Sequence, residues 1–192
     1  KQCGYSKPDY RVVKGTEYGV PQTRQRFLLV ASRLHSRCGL PPTMPGLPVT
    51  VREHIGVHND FKTLQAGQQD PTDPWHRTSG LSPNNLRRIQ ITPHDGGDRS
   101  AWRDTELQIP AYQGRDNHFR NVYGRMWWDQ PAPTLTTRFN SLSNGRFGHP
   151  EEDRALSVRE GAILQTFKRN YKWKGQLQPV CRQIGNAVPP AL

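Results

Sequence analysis

The stretch Tyr18-Gly-Val-Pro-Gln-Thr-Arg-Gln-Arg26 runs directly into Phe27-Leu-Leu-Val-Ala31, the longest apolar run of the chain. Glycine and proline in the first part predict a turn, and the apolar run predicts a short strand through Ser32 that is buried in a sheet. A partner strand is predicted at Arg11–Lys14, on the other side of the turn. This part of the sequence therefore predicts a piece of β-sheet with a polar segment leading into it.

The polar segment supplies three candidate site residues. If residues 22–26 are extended, Gln22, Arg24 and Arg26 project from one face, because side chains alternate along a strand. Two neighbouring guanidiniums repel each other unless an anion lies between them, and a phosphate, or a base carbonyl with a phosphate beside it, meets that need. The alternative is a pair of surface arginines where a strand begins.

Charge indicates the class of partner. The 192 residues carry a formal net charge of +11, and 20 of the 27 basic residues are arginine. A strongly basic chain favours a polyanion, and nucleic acid is the commonest one. Arginine also grips phosphates and guanine edges with paired hydrogen bonds. Ribosomal and merely soluble basic proteins have similar compositions, so charge by itself leaves these open.

Other classes of protein fit the composition poorly. The apolar run is far shorter than the roughly 20 residues that span a bilayer, and we see no signal peptide. Cys3, Cys38 and Cys181 are odd in number and widely spaced, which argues against a disulfide scaffold or a zinc site and fits a reducing, bacterial cytoplasm. His54 and His58 have helical metal-ligand spacing, but the glycine between them favours two surface histidines, so we expect no metal.

Periodicity is poor in the middle of the chain. Prolines between Pro41 and Pro48 predict a linker, after which Thr50 caps a short helix beginning at Val51. A second helix is predicted over Pro83–Ile89 with Ser82 as its cap. The region from about 60 to 120 is expected to be a small irregular domain anchored by aromatic residues: Trp75, Trp102, Tyr112 and Phe119.

Regular patterns return near the C-terminus. Pro133–Thr137 alternates like an edge strand or a half-buried strand. Ser157 and Glu160 form a capping box that opens a helix through Leu164. The segment from Cys181 to Leu192 looks helical, but Gly185-Asn186 and two prolines predict that it bends or begins its helix late.

Three motifs together resemble the DNA cytosine-5 methyltransferases. They are Gln22-Thr-Arg-Gln-Arg26, the stretch from Arg154 to Phe167 with Arg-x-Leu-Ser-x-Arg-Glu, and Gln183-Ile-Gly-Asn-Ala-Val-Pro-Pro190. Their order and spacing are those of the family, and Tyr123–Thr137 and Gly145–Pro150 look like the end of a bacterial recognition domain. The resemblance covers nearly the whole chain and is weakest from residue 56 to 116.

The resemblance implies a reaction and site residues. Members of the family flip a cytosine out of double-stranded DNA, a cysteine attacks its carbon 6, and S-adenosyl-L-methionine donates a methyl group to carbon 5. Arg26 would help hold the cytosine at O2, Arg24 would contact phosphate or order the site, and Thr134 would contact a neighbouring phosphate. The cofactor pocket would be bordered by Asn186, Ala187 and Val188.

Base reading is expected from the recognition region, where an arginine on guanine is the commonest specific contact. The expected DNA-binding residues there, besides Thr134, are Thr136, Thr137, Arg138, Arg125 and Arg146. Two further arginines, Arg115 and Arg120, lie in the same region.

The sequence departs from the family in one large respect. It contains no Pro-Cys-Gln, no Glu-Asn-Val and no Phe-x-Gly-x-Gly loop, and none of its cysteines follows a proline. We therefore expect the recognition and C-terminal part of an enzyme, inactive alone, whose S-adenosyl-L-methionine is bound mainly elsewhere. Its partners would be DNA and a catalytic domain, either in the same chain or as a separate subunit. A stand-alone DNA-binding module is the main alternative; a tRNA-modifying relative fits less well, since its recognition region is short and cysteine-bearing.

The expected fold is mixed α+β. It comprises a remnant of a doubly wound methyltransferase sheet, a small irregular recognition domain and C-terminal helices, with exposed apolar surface around Phe27–Val30 and on the C-terminal helix. The expected segments are 1–36 for the end of the catalytic domain, 37–153 for target recognition, 154–178 for the supporting helix motif and 179–192 for a return to the catalytic domain.

Overall fold

The computed structural model describes residues 4–35, 38–114 and 121–192, and shows a mixed α and β chain. Its strands are β1 (Asp9–Lys14) and β2 (Gln25–Val30), and its α-helices are α1 (Val51–Ile55), α2 (Pro83–Ile91), α3 (Val158–Leu164) and α4 (Leu177–Asn186). Short 3-10 turns lie at Gly15–Tyr18, Val57–Asn59, Arg99–Trp102, Pro110–Tyr112 and Leu142–Asn144.

β1 and β2 form an antiparallel hairpin, which confirms the two predicted strands. Tyr10 lies opposite Leu29 and Val12 lies opposite Phe27. The connection comprises residues 15–24 and begins with the 3-10 turn. This turn ends at Gly19, whose φ of 75° lies in the left-handed region that glycine adopts without steric cost. The hairpin thus places residues 22–26 directly before and within β2.

One face of the hairpin is apolar and exposed. Val12 is 63% exposed and Phe27 is 61% exposed, and Tyr10 and Leu29 beside them are exposed as well. The prediction that β2 is buried in a sheet is therefore wrong for the described residues, because no described segment packs over this face and leaves these side chains buried. The expectation of exposed apolar surface around Phe27–Val30 is confirmed.

Side-chain caps set the starts of three helices, as predicted. Thr50 and Ser157 each accept a hydrogen bond from a backbone N–H in the first turn, and a glutamate completes the capping box at both. Ser82 caps α2 by accepting a hydrogen bond from the Asn85 N–H. These satisfied N–H groups explain why each helix begins where the local sequence indicates.

α4 differs from the expectation for the C-terminal segment. It begins earlier than Cys181, at Leu177, and ends at Asn186, before Val188 and the two prolines. Val180, Cys181 and Ile184 are fully buried in the core. The prediction of a late-starting helix was wrong because burial of this apolar stripe outweighs the low helix propensity of Gly185.

The predicted strand at Pro133–Thr137 is not a strand. Ala132 forms an isolated parallel bridge with Gln22, and the chain turns from residue 137 onward. The alternation of side chains nevertheless persists, since Leu135 is buried while Thr134 and Thr136 are exposed. The segment lacks a ladder because the bridge to Gln22 is made by Ala132, just before it, and is not continued within it.

The main core joins distant parts of the chain. It contains apolar residues of α1, α3 and α4 together with residues of the segment 126–147. Of the predicted aromatic anchors, Trp102 is buried, Trp75 packs partly against the core and Tyr112 is half-buried, while Phe119 lies outside the described residues. Within the described ranges no helix is long and apolar enough to cross a membrane, and no group of three metal-ligating side chains is found.

Candidate functional site

Two buried glutamines connect the three sequence motifs. Gln22 donates to the Leu164 carbonyl at 2.8 Å and accepts from the Leu135 N–H at 3.1 Å. Its Nε2 also donates to Gln165 Oε1, and both glutamine side chains are fully buried. The segment before β2, the Thr134–Arg138 segment and the end of α3 are thereby held in one place.

Gln165 extends this network to α4. Its Nε2 donates to the Ile184 carbonyl at 2.8 Å and to the Ala187 carbonyl at 3.0 Å. These carbonyls belong to the end of a helix, where backbone acceptors lack partners within the helix. The side chain of Gln165 therefore fixes the last turn of α4 against Gln22.

Arg24 bridges two of the same segments. Its Nη1 lies 3.4 Å from the Leu135 carbonyl and 3.2 Å from the Gly185 carbonyl. Its Nε is buried and has no hydrogen-bond partner. The structure thus places Arg24 partly inside, where it orders the neighbouring backbone and keeps one donor free.

Gly185 allows α4 to lie directly on the Thr134–Arg138 segment. A Cβ at this position would stand 2.4 Å from the Thr136 carbonyl oxygen and 2.6 Å from the Thr137 nitrogen. No side chain fits such a gap, so the glycine is required by close approach of two backbones. Close packing here determines where Thr136 and Thr137 lie.

The solvent side of this arrangement is polar and basic. Gln22 is fully buried beneath this surface, Arg24 is partly buried and Arg26 is half-exposed. The Arg26 side chain bonds only to the Gln25 carbonyl, at 2.7 Å, among the described residues. Thr134, Thr136 and Arg138 are exposed. We call the surface formed by these three residues and Arg26 the polar face, because it presents hydroxyls and guanidinium groups to solvent.

The residues after α4 leave two side chains uncovered. Asn186 is exposed and Val188 is 66% exposed, whereas Ala187 is half-buried and its carbonyl is bonded to Gln165. An amide and an apolar side chain next to each other fit one wall of a site for a ligand with polar and apolar parts.

Arg125 corrects one expectation. It is fully buried, and its guanidinium donates to the carbonyls of Ile89 at 2.7 Å and Glu152 at 2.8 Å, and also to Asp153. Burial lowers the pKa of Arg125, while the carboxylate of Asp153 acts in the opposite direction. The prediction that Arg125 contacts DNA was wrong, because its guanidinium is buried and its hydrogen bonds go to acceptors inside the fold.

Arg146 corrects a second one. Its side chain is almost wholly buried, and Nη1 donates to the carbonyls of Gly96 at 2.7 Å and Arg125 at 2.8 Å. Its guanidinium also stacks over the Trp127 ring at 4.0 Å. It connects these backbone segments from within the fold, so the prediction that it contacts DNA is wrong. Arg115 and Arg120 lie outside the described residues.

A buried ion pair supports α3, the helix that ends just before Gln165. Arg154 donates to both carboxylate oxygens of Glu160, at 2.8 and 2.7 Å, and neither side chain is exposed. Despite the opposing effect of burial, this pairing lowers the pKa of Glu160 and raises that of Arg154. The charged residues of the second motif thus face inward and hold α3 in position.

His149 lies beside this ion pair as a neutral ring. Its Nδ1 accepts backbone hydrogen bonds from Glu151 and Glu152, at 3.3 and 3.0 Å. Burial lowers the pKa of His149 to about 4, although Glu160 acts in the opposite direction. The imidazole therefore serves as a buried hydrogen-bond acceptor near neutral pH.

Sequence reasoning assigned no role to Gln165. The residue lies in the second motif, just after the predicted end of its helix, where a polar side chain can bond free carbonyls. This position after the helix was the one feature of the sequence that could have indicated a structural role for Gln165. Its partners, Gln22 and the end of α4, are far away in sequence and give no local sign of the contact.

Comparison with known proteins places the chain in a family. Residues 1–192 match the family of C-5 cytosine-specific DNA methylases. The Type II methylase M.HgiDII of Herpetosiphon aurantiacus is 43% identical over 197 residues, covering 100% of this chain and 54% of that protein. DNA (cytosine-5)-methyltransferase 1B of Oryza sativa is 41% identical over 151 residues, covering 77% of this chain and 9% of that protein.

A solved structure shares the fold. A putative DNA modification methyltransferase encoded within an Escherichia coli prophage superimposes with a TM-score of 0.55 at 21% identity, covering 97% of this chain and 57% of that one. The chain therefore spans about half the length of M.HgiDII and of this structural relative.

Proposed function

The chain belongs to the C-5 cytosine-specific DNA methylase family, and we propose on this basis that it is the target-recognition and C-terminal part of a DNA cytosine-5 methyltransferase. In this proposal it binds double-stranded DNA, and it contributes to methyl transfer onto carbon 5 of a flipped cytosine within a restriction-modification system. By itself it does not catalyse the transfer, since no Pro-Cys-Gln occurs in the sequence.

The observation that carries the proposal is the convergence of the three motifs. Gln22 and Gln165 bond to each other and to the backbone of both other segments. Residues that are far apart in sequence thereby present one polar face with Arg26 and Thr134 on its solvent side. A purely structural use of these motifs would not require an exposed guanidinium there.

Each polar residue then has a distinct task. Arg26, whose guanidinium has a single local hydrogen bond, donates to O2 of the flipped cytosine. Arg24 positions the surrounding backbone through the carbonyls of Leu135 and Gly185. Thr134, Thr136, Thr137 and Arg138 contact phosphates near the flipped nucleotide, and this fixes the duplex without reading its sequence.

Asn186, Ala187 and Val188 border the site of S-adenosyl-L-methionine. The exposed amide and the exposed valine side chain fit a ligand that has a polar amino-acid part and an apolar part. The cofactor supplies the methyl group when it is bound. This chain's share is to form one wall and to hold it in place through the bond between Gln165 and the Ala187 carbonyl.

The hairpin attaches the chain to the rest of the enzyme. Its exposed apolar face, formed by Tyr10, Val12, Phe27 and Leu29, is part of a face of a doubly wound catalytic sheet, which the catalytic domain would cover. Burying such residues stabilises by about 1.5 to 3 kcal/mol for each side chain. A catalytic domain in the same chain or in a separate subunit would supply this burial.

Reconstitution tests the proposal. The chain is co-expressed with the part of M.HgiDII that lies outside the match, and transfer of labelled methyl groups to duplex DNA is measured for each half and for both together. We expect transfer only with both halves. Duplex binding without any transfer would favour a stand-alone DNA-binding module, and failure to bind duplex DNA would refute both functions.

A further inference from the structure

A tight polar turn continues the polar face. The segment 134–144 has a buried side and a solvent side. Its large apolar side chains are buried, namely those of Leu135, Phe139 and Leu142. Its exposed side chains are all polar, and beyond those of the polar face they are Ser143 and Asn144. The turn Ser141–Asn144, which we call the serine turn, therefore presents small polar groups on the same side of the segment as the polar face.

The serine turn lies close to Arg138 in space as well as in sequence. The Ser141 N–H donates to the Arg138 carbonyl at 3.1 Å, and the Asn144 N–H donates to the Ser141 carbonyl at 3.4 Å. Each such turn keeps its end Cα atoms within about 7 Å, so those of Arg138 and Asn144 lie within about 14 Å of each other. Since base pairs are spaced by about 3.4 Å, this distance corresponds to about four of them.

The backbone of the serine turn is held in place from below. Leu142 packs against Ile89 of α2 in a second apolar cluster, and its carbonyl accepts from the Tyr123 N–H at 2.7 Å. Gly145 follows the turn with a φ of 156°, and a Cβ there would stand 2.5 Å from the Phe147 ring. A turn that is already fixed loses little conformational freedom when it binds a ligand.

The two serines orient the amide of Asn144. Its Nδ2 donates to Ser141 Oγ at 3.0 Å and to Ser143 Oγ at 3.2 Å, and the two hydroxyl oxygens lie 3.1 Å apart. Because the hydroxyls lie side by side, one of the two amide hydrogens can serve both. Oδ1 of Asn144 has no hydrogen-bond partner within the described ranges. The exposed amide thus keeps one donor and one acceptor for a ligand.

This pair of groups matches one base edge better than the others. An asparagine amide forms two parallel hydrogen bonds with N6 and N7 of adenine in the major groove. Guanine presents two acceptors there, and thymine presents one acceptor beside a methyl group, so neither satisfies both groups of the amide. A phosphate offers acceptors only, and the arginines of this basic chain can bind it more strongly.

From this geometry we propose that the serine turn reads an A·T base pair in the major groove, with Asn144 as the specificity-determining residue. The target sequence then contains an adenine within about four base pairs of a phosphate that Arg138 contacts. The inference rests on the proposed function, since it takes the ligand to be duplex DNA. It goes further in naming a base of the target and the side chain that selects it.

Selection from a library of random-sequence duplexes tests the inference. The full chain is bound to the library, and the bound duplexes are sequenced for the wild type, for Asn144→Ala and for Asn144→Asp. We expect Asn144→Ala to lose a preference for adenine at one position, by about 5-fold or more, with the other positions unchanged. In Asn144→Asp the side chain keeps acceptors but loses its donor, so the preference there should move towards cytosine, whose N4 donates.

Controls separate base reading from backbone contact and from folding. Arg138→Gln removes a proposed phosphate contact, so it should lower the slope of log K against log salt by about 0.9 and leave the sequence preference unchanged. Asn144→Ala should do the reverse. Asn170→Ala truncates another exposed asparagine and should change neither quantity. The unfolding temperature of Asn144→Ala should stay close to that of the wild type, because the bonds it loses are exposed.

The outcomes also separate this inference from the proposed function. An unchanged sequence preference in Asn144→Ala would refute base reading by the serine turn and leave duplex binding intact. Weaker binding to every sequence with a lower salt slope in Asn144→Ala would assign the turn to a phosphate, and binding by the wild type without preference for any base would mean that it reads none; either result overturns the inference. Absence of duplex binding by the wild type would refute the proposed function itself.

Discussion

Removing the Gln165 side chain should destabilise the fold by several kilocalories per mole. Gln165→Ala takes away two hydrogen bonds to the carbonyls of Ile184 and Ala187 and the acceptor for Gln22 Nε2. The Ile184 carbonyl keeps the Ala187 N–H as a donor, so two partners are left unsatisfied, and at about 1 to 1.5 kcal/mol each they amount to roughly 2 to 3 kcal/mol. That is a large share of the total stability of a typical domain.

The assay is equilibrium unfolding in urea, with Gln178→Ala as the matched control. Gln178 is exposed on α4, so its truncation should change the free energy of unfolding by less than about 0.5 kcal/mol. A double-mutant cycle of Gln22→Ala with Gln165→Ala should give a coupling energy of about 0.5 kcal/mol or more, since the two side chains share a hydrogen bond. A loss below about 1 kcal/mol in Gln165→Ala, or additive effects, would refute the glutamine network as the link between the motifs.

Gly185→Ala should lower the free energy of unfolding by about 1 to 3 kcal/mol in the same assay, because its Cβ would stand 2.4 Å from the Thr136 carbonyl. Gly80→Ala, which meets nothing within 4 Å, should change little, and equal effects would contradict the close packing. The free energy of unfolding should fall by about 3 kcal/mol as the pH drops from about 6.5 to 4, because in this range the histidine is protonated in the unfolded chain but stays neutral when it is buried. His149→Gln should make the free energy of unfolding less dependent on pH in this range. Glu160→Gln should cost about 3 to 5 kcal/mol by urea unfolding, because it leaves its buried guanidinium partner poorly compensated; an unchanged midpoint would contradict this.

Local signals in the sequence predicted local structure well. The starts of α1, α2 and α3 are determined by Thr50, Ser82 and Ser157, whose side chains satisfy backbone N–H groups within the next turn. The hairpin was equally readable, because the turn at Gly19 and the apolar run are adjacent. In these places the residues that determine the structure are neighbours in sequence.

Features that depend on distant contacts were not predictable in the same way. α4 begins early because its apolar stripe packs in the core, and this packing outweighs the presence of Gly185. Pro133–Thr137 has the alternation of a strand, but the bridge to a neighbouring segment is made by Ala132, just before it. Propensity and periodicity carry no information about which segment will lie beside a given one.

The arginines illustrate the limit for the site. The sequence predicts the same role, a contact with DNA, for Arg26, Arg125 and Arg146. In the structure, however, the guanidiniums of Arg125 and Arg146 donate to backbone carbonyls inside the fold. Burial and hydrogen-bond partners separate structural from available arginines, and neither can be read from composition.

Methyl transfer by the reconstituted halves with Arg26 altered is the most direct test of the central claim. Arg26→Ala should reduce the rate by about 100-fold or more, since it removes a donor aimed at the reacting base. Arg87→Ala, which removes an ion-paired surface arginine, should retain wild-type transfer, and duplex binding should survive in both. Undiminished transfer by Arg26→Ala would contradict the assignment of this polar face to the flipped cytosine.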